Sequence, residues 1–256
     1  MFRLFSTFYP EKNPARKAEY LECLKRNLTN PVIDEVCLLV EGNVPELPNS
    51  PKLRIKAIEK RPLYDDFFTW IREIGADEDI AAIANTDIYL DPNLAAAFPL
   101  LQPKRCLALA RWEPSGLNDR NDSQDCWVFM GPISVVRGDF PIGVVRCDNR
   151  ILYELQVAGY EVLNPSFSVK IHHLHEGERV EYGNTESHFV QPPYRYLWPH
   201  NLYGPLRTLD YNIKHPALRI GWRIDPRQLT RSIPGRLYRK LESRIRSTNR
   251  RSVAEK

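Results

Sequence analysis

The sequence predicts an α/β fold built on a largely parallel sheet, and three observations support this prediction. Strand-like and helix-like stretches alternate through the first 165 residues. Residues 36–40 (VCLLV) form a continuous apolar run, as expected of a strand that is covered on both faces. The chain has 256 residues, enough for one large domain, and it contains no run of about 20 apolar residues that would span a membrane.

Local patterns in the first 84 residues predict four strands and two helices. Strand-length runs, apolar or alternating, occur at residues 2–8, 36–40, 53–58 and 80–84. Asn13 followed by Pro14 has the residue types of a helix N-cap and first helical position, which predicts a helix to about Asn27. Residues 62–74 repeat apolar side chains at helical spacing and predict a second helix.

The chain beyond residue 84 predicts strands at 106–111 and 127–130. Asp148 is expected to cap a third helix that runs to Ala158 and ends at Gly159. Extended segments at 162–163 and 168–175 follow, and residues 176 to about 205 are rich in Pro, Tyr and Gly and are expected to be irregular. We therefore divide the chain into a domain over residues 1–175 and a C-terminal extension over residues 176–256.

The C-terminal extension is strongly basic. Residues 201–256 contain 14 Lys and Arg against 4 Asp and Glu, a balance of +10, whereas the rest of the chain has a balance of −6. Leu237, Leu241 and Ile245 recur at helical spacing, so the extension is expected to be partly helical. A basic amphipathic helix either binds an anionic membrane surface or packs on the domain. Because no nucleic-acid recognition module accompanies the charge, nucleic acid is not an expected partner.

Cysteine usage and the start of the chain predict a cytoplasmic protein. The five cysteines are scattered without a CxxC pair, and Cys37, Cys106 and Cys126 lie in apolar runs where a free thiol acts as a small core hydrophobe. The first residues, MFRLFSTFYPEKN, lack the pattern of a signal peptide. We expect free thiols in a reducing compartment, with peripheral attachment to the inner face of the membrane through the basic extension.

The segment Asn85-Thr86-Asp87 directly follows the strand predicted at residues 80–84. Ligands of open α/β sheets bind beyond the carboxyl ends of strands, so Asp87 is expected to meet a ligand or a metal. Carboxylate and phosphate oxygens suit a divalent cation such as Mn²⁺ or Mg²⁺. An Asn/Asp-rich turn without a function is the alternative.

Three histidines cluster at His172, His173 and His175. If residues 168–175 are a strand, His173 and His175 share the apolar face with Ile171. Histidine is the commonest transition-metal ligand and also a proton carrier, so these two are candidate metal ligands. Ordinary core or surface positions, or contacts with nucleic acid or phosphate, remain the alternatives.

Asp148 has two interpretations. A carboxylate at a helix N-terminus is stabilised by the free N–H groups and the helix dipole, which is a sufficient structural reason for its presence. If the same position opens on a pocket, it suits a general base.

Three segments in this order, IANTDIYLDPNL, IGVVRCDNRILYELQVAGYEV and NPSFSVKIHHLH, resemble the metal-dependent GT-A glycosyltransferases. The likeness is to the inverting, family-two-like enzymes that use a nucleotide-diphosphate sugar. It covers roughly residues 1–175 and consists of motif order rather than long identity. It implies a GT-A-like sheet, the metal contact at Asp87, the late metal ligand at His173 or His175, and the acceptor base at Asp148.

The resemblance also suggests donor contacts. Ser6 and Thr7 at the end of the first strand, and Glu41 at the end of the second, would lie near the nucleotide, as would Asn85 beside Asp87. Arg61 could pair with the diphosphate, since guanidinium offers a bidentate fork. Ordinary loop chemistry is the alternative for each of these residues.

Residues 110–132 are expected to contact a sugar. Trp112, Asp125 and Trp127 combine aromatic faces, which pack on sugar C–H surfaces, with a carboxylate that bonds sugar hydroxyls. The alternative is a buried Trp beside a solvated acidic loop.

The resulting hypothesis is transfer of a sugar from a nucleotide-diphosphate sugar to a saccharide or lipid-linked hydroxyl acceptor, in surface polysaccharide or glycolipid assembly. Asn85 and Cys147 stand where the family has acidic residues, which favours a second possibility, a non-catalytic GT-A-like binding module. A metal-dependent hydrolase or nucleotidyltransferase that uses Asp87 and the histidines is the third.

Overall fold

The computed structural model describes residues 1–42, 47–133, 136–174 and 189–202. Three α-helices, one 3₁₀-helix and eleven strands make up the described chain. In chain order they are β1 (Phe2–Phe8), α1 (Pro14–Thr29), β2 (Glu35–Glu41), β3 (Leu53–Ile58), α2 (Tyr64–Ile74), β4 (Ile80–Ala84), β5 (Ile88–Leu90), the 3₁₀-helix (Pro92–Leu100), β6 (Arg105–Leu109), β7 (Trp112–Glu113), β8 (Gly116–Leu117), β9 (Cys126–Met130), α3 (Cys147–Val157), β10 (Glu161–Leu163) and β11 (Ile171–His173).

Seven strands form the central sheet in the order β10-β6-β9-β4-β1-β2-β3. All are parallel except β9, which pairs antiparallel with β4 and with β6. The predicted α/β class with a largely parallel sheet is therefore confirmed. The chain runs outward from β1 to β3 and then crosses back to β4 on the other side of β1. This reversal creates a crevice at the carboxyl ends of β1 and β4, where open α/β sheets bind their ligands.

Helices cover the sheet on both faces. α1 packs on one face through Tyr20, Leu24 and Leu28. α2 and α3 pack on the other face, with Phe67 and Leu152 among their buried residues. Every residue of β1 is buried as a result. The continuous apolar runs in the sequence reflect this burial, because a strand between two helical layers has no solvent-facing side.

A second sheet, in the order β5-β11-β7-β8, lies beside the crevice. β11 pairs antiparallel with β5, and His173 is the register partner of Ile88. The buried Asn27 of α1 holds β5 in place. Its Nδ2 donates to the carbonyl of Ile88 at 2.9 Å, and its Oδ1 accepts from the N–H of Leu90 at 2.9 Å.

The third predicted helix and the late strand differ from the prediction. α3 begins at Cys147, and its N-cap is Arg146, in the left-handed conformation with φ 73°. Asp148 therefore lies in the first turn and is not the cap. The strand expected at 168–175 shortens to β11, because the N–H groups of Ser168 and Val169 turn back to the carbonyl of Pro165.

The second predicted helix begins two residues later than expected. Its first residue is Tyr64 rather than residue 62. Leu63 is extended, and its N–H donates to the side chain of Asp66 at 2.7 Å, which fixes the start of the helix.

The five cysteines are free and buried, and burial was predicted for three of them, Cys37, Cys106 and Cys126. None of the described helices has the length and apolar composition needed to cross a bilayer. Residues 189–202 are irregular, as expected, and pack on the domain through His200, whose Nε2 accepts from the N–H of Asn164 at 2.9 Å. The basic helical stripe predicted at Leu237, Leu241 and Ile245 lies outside the described residues.

Candidate functional site

An open cleft of about 480 Å³ lies at the crevice between β1 and β4. Its walls come from the strand ends, from the loop before β9 and from the start of α3. The antiparallel direction of β9 brings that loop to this edge, since the amino end of β9 lies beside the carboxyl end of β4. The cleft brings together seven of the residues singled out from the sequence. They are Thr7, Glu41, Arg61, Asn85, Asp87, Asp125 and Asp148.

Asp87 lies at the centre of a charged cluster. Its Oδ2 is 3.2 Å from Nε2 of His173 and 3.1 Å from Nη2 of Arg16. Burial acts to raise the pKa of Asp87, but the hydrogen bonds and charges of His173 and Arg16 outweigh it and lower that pKa. Asp87 is therefore a carboxylate at neutral pH.

The ends of β1 and β4 are joined through two threonines. Oγ1 of Thr7 lies 2.6 Å from Oγ1 of Thr86, and the Thr86 hydroxyl also donates to the carbonyl of Thr7 at 3.2 Å. This contact fixes the turn that carries Asn85 and Asp87 against the end of β1.

Asn85 and Asp125 form a second cluster on the cleft wall. Nδ2 of Asn85 donates to Oδ1 of Asp125 at 3.0 Å, and Arg111 donates to both oxygens of Asp125 at 3.2 and 3.1 Å. The carbonyl oxygen Oδ1 of Asn85 is buried and accepts no hydrogen bond within the described chain.

Asp148 reaches the cleft from the first turn of α3. Its Oδ1 accepts from the N–H of Asn149 at 2.9 Å, and its Oδ2 accepts from the N–H of Gln124 at 3.4 Å. Burial raises the pKa of Asp148 to about 7, and the negative charge of Asp125 adds to the rise against those two hydrogen bonds. A carboxyl group with such a pKa can exchange a proton near neutral pH.

Arginine side chains give the cleft positive charge. Five arginines line it, namely Arg16, Arg61, Arg111, Arg120 and Arg146. Arg111 pairs with Asp125, and Arg120 pairs with Asp122. Arg61 is exposed and makes no ion pair with any described residue. Its guanidinium is therefore free to bind an anionic ligand.

Four residues singled out from the sequence do not line the cleft, namely Ser6, Trp112, Trp127 and His173, although His173 contacts Asp87, which does line it. The hydroxyl of Ser6 is buried and donates to the carbonyl of Ala84 at 2.9 Å. Trp112 donates its indole N–H to the carbonyl of Ser166 at 2.9 Å in the second sheet. Trp127 is 2% exposed, because it faces the core and packs edge-on against Tyr64. His175 lies outside the described residues.

Sequence reasoning missed Arg16 and Arg111, although one signal was present. Arg16 lies in the first turn of the helix that follows β1, so it had to lie near the carboxyl end of that strand. Arg111 carried no such signal, because its contact with Asp125 depends on the path of the loop between β6 and β9.

Neither a protein-family model nor a curated protein sequence matches the chain. Similar solved structures include a protein from Desulfovibrio desulfuricans described as a nucleotide-diphospho-sugar transferase, with 12% identity and a TM-score of 0.44 over 64% of this chain and 78% of that one. A nucleotidyl transferase from Methanothermobacter has 13% identity and a TM-score of 0.40 over 68% and 88% of the two chains. A 4-diphosphocytidyl-2C-methyl-D-erythritol synthase has 13% identity and a TM-score of 0.39 over 64% and 88%. These scores are too low to assign a family or an activity.

Asp87 and His173 are a carboxylate and an imidazole in contact, a pair that could hold a divalent cation. Within the described residues no three His, Cys, Asp or Glu side chains group closely enough to hold a metal by themselves. Two protein ligands nevertheless fit a cation that takes its remaining ligands from water and phosphate oxygens.

Proposed function

We propose that the cleft binds a nucleotide-diphosphate sugar and transfers its sugar to a hydroxyl-bearing acceptor. The observation that carries this proposal is Asp148, a cleft carboxyl whose pKa is raised to about 7. A group of that kind is suited to take a proton from an alcohol near neutral pH. The exposed Arg61 of the same cleft supplies positive charge for a diphosphate ligand, and the ionised Asp87 would contact that ligand through a cation.

In the proposed transfer step, Asp148 is the general base. Its carboxylate takes the proton of the acceptor hydroxyl while that oxygen forms a bond to the anomeric carbon. The bond from the anomeric carbon to the diphosphate oxygen breaks in the same step, and the electron pair leaves with the nucleoside diphosphate. A single displacement of this kind inverts the anomeric centre.

The remaining cleft residues would hold the donor. Arg61 can bind two phosphate oxygens through its guanidinium fork. Glu41 at the end of β2 can accept hydrogen bonds from a base or ribose, close to Thr7. Asn85, which lines the cleft next to Asp125, would lie beside the ribose or the sugar.

Asp87 and His173 would hold a divalent cation, Mn²⁺ or Mg²⁺, together with phosphate oxygens. When it is bound there, the cation supplies positive charge against the leaving diphosphate. The acceptor would be a saccharide or a lipid-linked saccharide of surface polysaccharide or glycolipid assembly. The basic extension would bring the protein to the membrane that carries such a lipid.

Nucleotidyl transfer is the second candidate, and the arginine-lined cleft favours it, because the same side chains could hold a triphosphate. The two reactions differ in their products. Sugar transfer releases a nucleoside diphosphate and requires an acceptor alcohol. Nucleotidyl transfer releases pyrophosphate from a nucleoside triphosphate and requires a phosphorylated co-substrate. Assays for the two products on one enzyme preparation therefore separate the candidates.

A thermal-shift panel of nucleoside diphosphates and their sugars, with and without Mn²⁺, tests the proposed donor. At least one nucleotide sugar should raise Tm in the wild-type protein, and Arg61→Gln should reduce that shift. Arg54→Gln is the matched control, since Arg54 is 54% exposed on β3 and lies outside the cleft. If no member of the panel raises Tm, the donor proposal fails.

A further inference from the structure

A basic side chain already neutralises the carboxylate that the proposed cation would use. Nη2 of Arg16 and Nε2 of His173 contact the same oxygen, Oδ2 of Asp87, at 3.1 and 3.2 Å. The side chain of Asp87 is only 18% exposed. An ionised carboxylate in such surroundings requires a nearby positive charge, because burial removes the solvation of its own charge. In the absence of a metal, Arg16 meets that requirement.

Arg16 is also held by its own helix. Its Nη1 donates to Oε2 of Glu19 at 2.8 Å, and its Nη2 donates to the hydroxyl of Tyr20 at 3.2 Å. The guanidinium lies 5.1 Å from the centroid of the Tyr20 ring. Glu19 and Tyr20 both belong to α1, so these contacts do not depend on Asp87. Arg16 can therefore give up its bond to Asp87 and still remain in the cleft wall.

We propose that Arg16 is an internal counter-ion of Asp87 that a divalent cation must displace. This inference rests on the proposed function in taking Asp87 and His173 as the ligands of the cation. Two cations on one carboxylate oxygen repel each other, so Arg16 lowers the affinity of the empty site for metal. Donor phosphates carry additional negative charge, which offsets that repulsion. The cation consequently binds together with the diphosphate rather than before it.

Titration of the protein with Mn²⁺ alone, followed by the electron paramagnetic resonance signal of free Mn²⁺, tests this inference. No nucleotide is present, so the result does not depend on catalysis. Arg16→Gln should bind Mn²⁺ at least about tenfold more tightly than the wild type, because the competing charge is gone. Arg26→Gln is the matched control. It removes the same charge from the same helix at a side chain that is 42% exposed and paired with Glu22.

Two further variants test whether the charges of Arg16 and Asp87 cause the change in Mn²⁺ affinity. Arg16→Lys keeps the positive charge and should stay close to the wild-type affinity. The double variant Arg16→Gln with Asp87→Asn should lose the gain, because the oxygen that binds the cation has lost its charge. Circular dichroism of each variant confirms that the fold is kept.

Arg16→Gln binding Mn²⁺ no more tightly than the wild type overturns the inference. Absence of Mn²⁺ binding in both proteins overturns it as well. The donor proposal has a separate measure, the thermal shift caused by nucleotide sugars, so the two ideas can fail independently.

Discussion

Asp87 and His173 lie 86 positions apart in the sequence, and their side chains meet with Nε2 of His173 3.2 Å from Oδ2 of Asp87. The pairing of β5 with β11 creates this contact, since Ile88 is the register partner of His173. The N–H of Leu174 also donates to the carbonyl of Asp87 at 3.4 Å. The second sheet therefore positions the site that we propose for a cation.

Metal removal should weaken the binding of nucleoside diphosphates. We expect the affinity measured by calorimetry to fall by about tenfold or more when EDTA replaces Mn²⁺, because the phosphates lose a shared cation. His173→Ala should reproduce the loss in the presence of Mn²⁺.

His172→Ala is the control for that measurement. His172 points to the opposite side of β11, where it stacks on Tyr89 with ring centroids 4.8 Å apart and contacts Asp91 at 3.1 Å. Equal nucleotide affinity with EDTA and with Mn²⁺ would remove the cation from the donor site.

Asp148→Asn should abolish most of the transferase activity while donor binding survives. The loss of a general base reduces turnover by about 10²–10⁴-fold. In the wild type the rate should rise with pH and level off above an apparent pKa of about 7, because the carboxyl must be deprotonated to accept a proton. Rate measurements from pH 5 to pH 9 check both expectations.

Asp139→Asn is the matched control, since Asp139 is 52% exposed and pairs with Arg137 away from the cleft. Near-wild-type turnover of Asp148→Asn would exclude Asp148 as the base.

Asp148 should also make the stability of the protein depend on pH. Its pKa is about 7 in the folded protein against an ordinary value of 3.8. Between those values the folded state keeps a proton that the unfolded state releases, so the free energy of unfolding falls as pH rises. Asp148→Asn does not titrate. The substitution should therefore raise Tm at pH 8 by several degrees. A change of 1 kcal/mol in the free energy of unfolding shifts Tm by about 2–4 °C in a chain of this size.

Scanning fluorimetry at pH 8 and pH 5 measures this difference, and the gain in Tm should shrink toward pH 4. A gain of the same size at every pH would mean that packing rather than titration is responsible.

Asn27→Ala should destabilise the protein and loosen β5. The substitution leaves the carbonyl of Ile88 and the N–H of Leu90 buried without their partner. Each of the two unsatisfied groups costs about 1–3 kcal/mol, so we expect a loss of about 2–6 kcal/mol in the free energy of unfolding. Urea denaturation measures this free energy.

Lys25→Ala is the control. It lies at an exposed position of the same helix and should change the free energy of unfolding by less than about 0.5 kcal/mol. Equal effects of the two substitutions would contradict the anchoring role of Asn27.

The basic extension should bind anionic liposomes, and binding should weaken as salt increases. Residues 201–256 carry a balance of +10. Each basic residue near an anionic bilayer contributes about 1 kcal/mol, over a screening length of about 8–10 Å. Liposome sedimentation measures the binding. Deletion of residues 232–256 should abolish it while donor affinity is retained. Failure of the full chain to bind anionic liposomes at low salt would end the membrane proposal.

Elements with a local pattern were predicted closely from the sequence. β1, β3 and β4 have the predicted bounds, because each is a run of strand-forming residues that ends at polar or turn residues. The cap of α1 was also predicted from a local pattern, Asn13 followed by Pro14. In the structure, Oδ1 of Asn13 accepts a hydrogen bond from the N–H of Ala15 at 3.0 Å. An apolar run, by contrast, does not indicate the direction of its strand, so the antiparallel direction of β9 was not predicted.

The sequence also did not reveal toward which face of the central sheet a side chain of β9 points. β9 lies inside the sheet with both faces covered, so its residues show no alternation that would indicate where Trp127 points. The tertiary structure places Trp127 in the core against Tyr64, away from the cleft.

The sequence by itself determined the fold class, most of the strands and the positions of Asp87 and Asp148 near strand or helix ends. Only the tertiary structure decided what surrounds those carboxylates. Arg16 and His173 make Asp87 more acidic, whereas burial and the nearby charge of Asp125 make Asp148 less acidic. Hydrophobic patterns act along the chain and can be recognised in it, but electrostatic interactions act through space between residues that folding brings together.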